Sequence, residues 1–145
     1  VTYLPNDHQD VEIQSLGDSR VYHFSAIQQV WRCLTTDDIL GNQIKFSVLD
    51  AKKELGSRYY SLTGFFSADD KHQVKDKAII EHSLKSYDAL LVCTDGVYNA
   101  AFVDHWPILK PTDHLTDWIK AFAQQLAPKA HDNLSFIVVR CINPC

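Results

Sequence analysis

The sequence predicts an α/β sandwich, and three observations carry that reading. Ala89–Thr94 (ALLVCT) is an apolar run of strand length, the kind that sits mid-sheet with both faces covered. Leu134–Ile142 (LSFIVVRCI) is a second strongly β-prone run. Between them Leu115, Trp118, Ile119, Phe122 and Leu126 recur at the spacing of one helix face. Strand runs separated by helices build layered folds with one shared core.

The elements follow in chain order. VTYLP, Val1–Pro5, reads as the end of an extended segment already under way, because nothing in it supplies a turn or a cap. The chain starts at Val1 and contains no methionine, so we read it as a processed or truncated piece. Val11 and Ile13 alternate with Glu12 and Gln14, and Val21, Tyr22 and Phe24 resume the pattern after Gly17, which predicts two strands joined through Gly17-Asp18-Ser19. From Asp37 to Leu55 the apolar positions Leu40, Ile44, Val48, Ala51 and Leu55 keep helical spacing, and Gly56 follows as a C-cap. Thr112 or Asp113 is expected to cap the later helix, and Pro128 to follow its end.

Composition narrows the function. With 145 residues, 46% hydrophobic and 22% charged, the chain has the make-up of one ordinary globular domain. A net charge of -4 provides no basic footprint, so nucleic acid is not an expected partner. No apolar run reaches the roughly 20 residues of a membrane span, and no signal peptide opens the chain, so a cytoplasmic setting without membrane association is expected. Cys33, Cys93, Cys141 and Cys145 form no CxxC pair and are read as reduced thiols.

Candidate chemistry lies where acidic residues meet the ends of apolar strands. Asp95 ends one such strand and Asp132 precedes another, so antiparallel neighbours would bring the two carboxylates to one sheet edge. A carboxylate there is costly unless paired or bound to a cation. Gly96, without a Cβ, would let the chain turn sharply and leave room for a ligand beside Asp95. Asp18 is a third candidate for the same edge. Hard oxygen donors with no His or Cys cluster at zinc spacing suit Mg²⁺ or Mn²⁺. Each motif taken singly is also what a plain turn looks like: Asp-Gly after a strand, Asp132-Asn133 as an Asx turn, Gly17-Asp18-Ser19 as a hairpin corner.

Taken in order, LGDSRVYHF, LTTDDIL, DALLVCTDGVYN and HDNLSFIVVR resemble the metal-dependent PP2C-type (PPM) protein serine/threonine phosphatases. The resemblance implies a PP2C-like β-sandwich flanked by helices. Residues 1–145 would be the C-terminal two-thirds of one such domain, incomplete at the N-terminus. It implies metal ligation by Asp95 and Asp132, Asp18 near an additional metal position, and Asn133 shaping the loop. The implied activity is hydrolysis of phosphoserine or phosphothreonine in a phosphoprotein substrate by a metal-activated water, with two Mn²⁺ or Mg²⁺ ions in the complete site. The family's N-terminal third, with its own Asp-Gly ligand motif and a basic phosphate-binding residue, has no counterpart here. Asn99 stands where many relatives are acidic, Asp38 where they carry histidine, and SLTGFF, Ser61–Phe66, lacks the usual arginine.

Two other functions compete. A catalytically inactive PP2C-like module would bind a phosphoprotein or a partner enzyme without turnover, an option favoured by the missing ligand. A GDS-type serine hydrolase would use Ser19, but it needs a helix after the serine and a late Asp-x-x-His. Here strand-like VYHF follows, and Asp69 to His72 is the one DxxH, mid-chain.

Overall fold

The computed structural model describes residues 10–43, 48–64 and 79–142. VTYLP, Ile44, the last two residues of SLTGFF, the Asp69/His72 pair and Cys145 lie outside the described residues.

Within them the strands are β1 (Asp10–Ile13), β2 (Arg20–Ser25), β3 (Val30–Cys33), β4 (Ile80–Ser83), β5 (Ala89–Cys93) and β6 (Phe136–Arg140). The helices are α1 (Leu40–Gln43), α2 (Val48–Leu55), α3 (Asp95–Ala100) and α4 (Leu115–Leu126). A four-stranded antiparallel sheet runs β3-β2-β5-β6, and β1 pairs with β4 in a separate antiparallel ribbon.

Alternation along β2 and β5 assigns the layers. Val21 and Leu90 pack with Val11, Ile13 and Leu84, joining the sheet to the ribbon. Tyr22, Phe24, Ala89, Leu91 and Cys93 face the other way, onto Trp118, Phe122 and Leu126 of α4. β5 thus has both faces covered, as its unbroken apolar sequence predicts. All three tryptophans enter this second core, and their indole N–H groups donate to backbone carbonyls: Trp31 to Pro107 (3.2 Å), Trp106 to Ala101 (2.9 Å) and Trp118 to Ile108 (3.2 Å). The loop after α3 therefore satisfies the donors that burial of three indoles creates.

Three local expectations are corrected. β1 and β2 form where alternation places them, but the GDS connection is a crossing from ribbon to sheet, since each strand pairs elsewhere. The Asp37–Leu55 periodicity is helical at Leu40–Gln43 and Val48–Leu55 but not from Asp37: helical residues start at Leu40, Asn42 bonds back to the Asp37 carbonyl, and Val48, counted on the inner face, is 60% exposed. Gly56 does take the left-handed φ of +53° expected after a helix. Neither Thr112 nor Asp113 caps α4. Its N-cap is His114, without a side-chain cap bond, because the Asp113 carboxylate is already engaged by the Lys110 N–H at 2.8 Å in the preceding turn.

A polar cluster lies where the ribbon meets the sheet. Asp88, 2% exposed, accepts the Ala26 N–H (2.8 Å), the Lys85 N–H (3.0 Å) and His23 Nε2 (3.0 Å). Burial alone would push its pKa up, but these bonds together hold it below the ordinary value. The His82 ring lies 4.5 Å from that of His23, and its buried Nε2 has no hydrogen-bond partner among the described residues. Burial, then the neighbouring His23, lowers the His82 pKa, while Asp88 pulls it back. Both shifts are downward, so both contributions are present at neutral pH and lost on acidification. The His82 contribution should fade from its ordinary value of 6.5 downward, and that of Asp88 only below 3.8. The urea midpoint should therefore fall between pH 7 and pH 5, and His82→Phe should flatten that limb. A wild-type midpoint constant over this interval would contradict the assignment.

Candidate functional site

The site is built on the continuation of the β5–β6 pairing past both strand ends. The ladder reaches Cys93 opposite Phe136. Beyond it the Thr94 N–H donates to the Ser135 carbonyl (3.0 Å), and Thr94 Oγ1 accepts the Ser135 N–H (3.3 Å). At Gly96 an added Cβ would collide with the Asn133 carbonyl. Glycine is required there by backbone against backbone, so the space it leaves is occupied by the Asp132-Asn133 segment and not by a ligand, a correction to its expected role. The result is that Asp95 and Asp132 stand at adjacent ends of antiparallel strands.

Each carboxylate organises its own loop. Asp95 is the first residue of α3, a favourable place for negative charge, and its Oδ1 accepts the Gly96 N–H at 2.9 Å. Asp132 Oδ1 accepts the Asn133 N–H at 2.6 Å, and Asp132 is exposed. The Asn133 carbonyl is the group that faces Gly96.

Asp18 reaches the same sheet end from the other side. The Tyr98 hydroxyl donates to the Asp18 carbonyl at 3.0 Å, tying the GDS loop to α3. Asp38 clamps that loop from below: its Oδ2 accepts the Gly17 N–H (3.0 Å), while its own N–H donates to the Gly17 carbonyl (2.8 Å). Asp38 therefore acts on the backbone that presents Asp18.

Sequence reasoning missed the centre of this arrangement. Arg20 forms a two-pronged ion pair with Asp37, Nε to Oδ1 at 2.8 Å and Nη2 to Oδ2 at 2.7 Å. Its guanidinium carbon lies 3.7 Å from the centroid of the Tyr98 ring, and Nη1 is 3.3 Å from the Tyr22 hydroxyl. The bond to Asp37 drives the Arg20 pKa further up. Burial pushes Tyr22 up to about 12 and raises Tyr98 as well, so both phenols stay protonated, Tyr98 donating to the Asp18 carbonyl and Tyr22 accepting from Arg20. Burial likewise pushes the Cys93 thiol up to about 12, which makes it a core residue and not a nucleophile. Cys33, Cys93 and Cys141 are free thiols. The signal available in the sequence was the pairing of GDSR with TTDD, one cation and one anion in neighbouring loops.

These residues border a cleft of about 560 Å³. Asp18, Arg20, Asp95, Tyr98 and Asn99 line it from the sheet end and α3; Asn42, Lys52, Tyr59 and Tyr60 line it from α1, α2 and the turn Gly56–Tyr60. Gly41 is needed on that second wall, because a Cβ would enter the Tyr59 ring. Asp132 is outside the cleft lining, and among the described residues no group of three or more His, Cys, Asp or Glu converges closely enough to hold an ion. The donor chemistry, hard carboxylate oxygen, fits Mg²⁺ or Mn²⁺. Mg²⁺ ordinarily takes only one or two protein carboxylates and keeps several waters, so the small number of donors fits as well. Ser19 is followed by strand β2, without the helix that a GDS nucleophile needs. No helix among the described residues is long and apolar enough to cross a membrane.

No family model matches the chain, and no curated protein matches it in sequence. Solved structures do match. A serine/threonine phosphatase from S. agalactiae superposes with a TM-score of 0.69 at 17% identity, covering 93% of this chain and 55% of its own. The serine/threonine phosphatase Stp1 from Staphylococcus aureus gives 0.68 at 20% identity, covering 93% and 52%. The catalytic domain of the serine threonine protein phosphatase PstP, in complex with two manganese ions, gives 0.62 at 15% identity, covering 93% and 55%. The chain spans about half the length of these structures, and over that span it has the fold of the PP2C-type (PPM) serine/threonine phosphatases.

Proposed function

We propose that this chain is the C-terminal part of a PP2C-type domain that hydrolyses phosphoserine or phosphothreonine in a phosphoprotein, with Mn²⁺ or Mg²⁺ held by Asp95 and Asp132. The observation that carries the reading is the close approach of the Asp95-Gly96 and Asp132-Asn133 loops, which puts two hard-oxygen donors on one sheet edge. Asp18 adds a carboxylate from the neighbouring loop, near an additional cation position. When bound, divalent ions lower the pKa of water and neutralise charge on phosphoryl oxygens.

The remaining work falls to the chain's own side chains. Tyr98 fixes the Asp18 backbone relative to α3 through its protonated hydroxyl. Asp37 keeps Arg20 turned along the Tyr98 ring, so the guanidinium does not pair with Asp18 or Asp95 and their charge stays available to a cation. The phosphorylated residue would enter the cleft beside Asp18 and Asp95. Coordination beyond these carboxylates would come from water and from donors outside the described residues.

The donor count also supports a second reading, a PP2C-like module that binds a phosphoprotein without turning it over, since three acidic donors do not converge among the described residues. Turnover of a phosphoserine peptide by the full-length protein distinguishes the two. The first reading requires hydrolysis that depends on Mn²⁺ or Mg²⁺ and stops with chelator; binding without hydrolysis would support the second.

Two substitutions test the site itself. Asp95→Asn keeps size and the Gly96 acceptor, so the metal-free melting temperature should change little. The stabilisation by Mn²⁺, about 2.7 kcal/mol at a hundredfold excess over Kd, should largely disappear, and hydrolysis should fall by orders of magnitude. Strong destabilisation without metal would instead mark Asp95 as a structural ion-pair partner. Gly96→Ala should force the Asn133 carbonyl away and weaken Mn²⁺ binding without removing a donor; unchanged Mn²⁺ affinity would separate metal binding from the loop contact.

A further inference from the structure

The cleft carries charge of both signs, and its cations are not equivalent. Arg20 and Lys52 are the cationic lining residues among those described. Arg20 is consumed by its two-pronged bond to Asp37 and its stacking on Tyr98. Lys52, on α2, is exposed, with its ammonium 5.4 Å from the Tyr59 ring centroid and 5.5 Å from that of Tyr60. Tyr59 is 5% exposed and seated against Gly41, so one of the two rings that bracket the ammonium is fixed. Lys52 also hydrogen-bonds the Tyr60 side chain, but that partner and the ring faces are neutral, so the charge is not offset, and an ammonium has further donors to share.

We propose that Lys52 selects substrates with an acidic side chain next to the phosphorylated residue. This rests on the phosphatase reading above. Asp18 and Asp95 make the sheet end of the cleft a place for cations and the phosphoryl group they would bind, whereas α2 presents a cation to whatever lies beside it. About 560 Å³ exceeds what a phosphoryl group alone needs and leaves room for a neighbouring side chain. A flanking Glu or Asp complements an uncompensated ammonium; a flanking Lys or Arg would meet repulsion there.

The test is a fluorescence anisotropy titration of the full-length protein in Mn²⁺ with two labelled peptides carrying the non-hydrolysable phosphonate analogue of phosphoserine, one with Glu flanking it and one with Gln at the same positions. Wild type should prefer the Glu peptide about threefold, the scale of one solvent-exposed ion pair. Lys52→Ala should bring the ratio to about one, and Lys52→Arg should retain it, with circular dichroism confirming that both fold. An unchanged ratio in Lys52→Ala, or a wild type with no preference, would overturn the inference while leaving the phosphatase reading intact. Failure of wild type to bind either peptide would overturn that reading and this one with it.

Discussion

Everything at the candidate site depends on how β5 and β6 end. Antiparallel pairing alone brings two strand ends together, but it does not hold the loops beyond them. Here Thr94 extends the ladder by one residue through backbone and hydroxyl bonds to Ser135, and Gly96 then admits the Asn133 carbonyl to a distance no side chain would permit. The backbones of the Asp95-Gly96 and Asp132-Asn133 loops are thereby held against each other at a sheet edge. The apolar segment 89–93 supports this end of the sheet: with both faces buried and a paired strand on each side, β5 fixes the position of Asp95 at its end.

A second constraint keeps the site's charges apart. Arg20 lies one strand over, within the lining of the same cleft, and would be a natural partner for Asp18 or Asp95. The Asp37 carboxylate and the Tyr98 ring hold it in a different direction. A paired guanidinium of this kind adds little to stability where it is partly exposed. Its consequence lies in which carboxylates remain unneutralised. Tyr98 serves both arrangements, stacking on Arg20 with its ring and binding the Asp18 carbonyl with its hydroxyl.

Much of this was legible in the sequence, and the unread parts share a cause. β5, β6 and α4 each have a strong period or an unbroken apolar run, so their existence and mutual packing followed from pattern. Asp95 and Asp132 were locatable because both sit at the ends of such runs. β3 and β4 lack the paired aliphatic alternation that marks β1: β3 buries only Trp31, and Ile80 is the one aliphatic residue of β4. The Asp37–Leu55 segment misled because apolar spacing cannot reveal that Asp37 and Asp38 are engaged by Arg20 and Gly17, contacts made 17 and 21 positions away in the chain. The same holds for Gly96: its presence was readable, while its reason, the backbone of residue 133, was tertiary.

The central claim is that Asp95 and Asp132 together form a site for a hard divalent cation. Paramagnetic broadening of amide resonances on titration with substoichiometric Mn²⁺ tests it most directly, because the effect reports position and does not depend on turnover. The account predicts that signals of residues 95–97 and 132–134 vanish first, that those around Asp18 follow, and that Asp132→Ala abolishes the early losses. Uniform broadening, or losses centred on another acidic cluster with these loops unaffected, would contradict it.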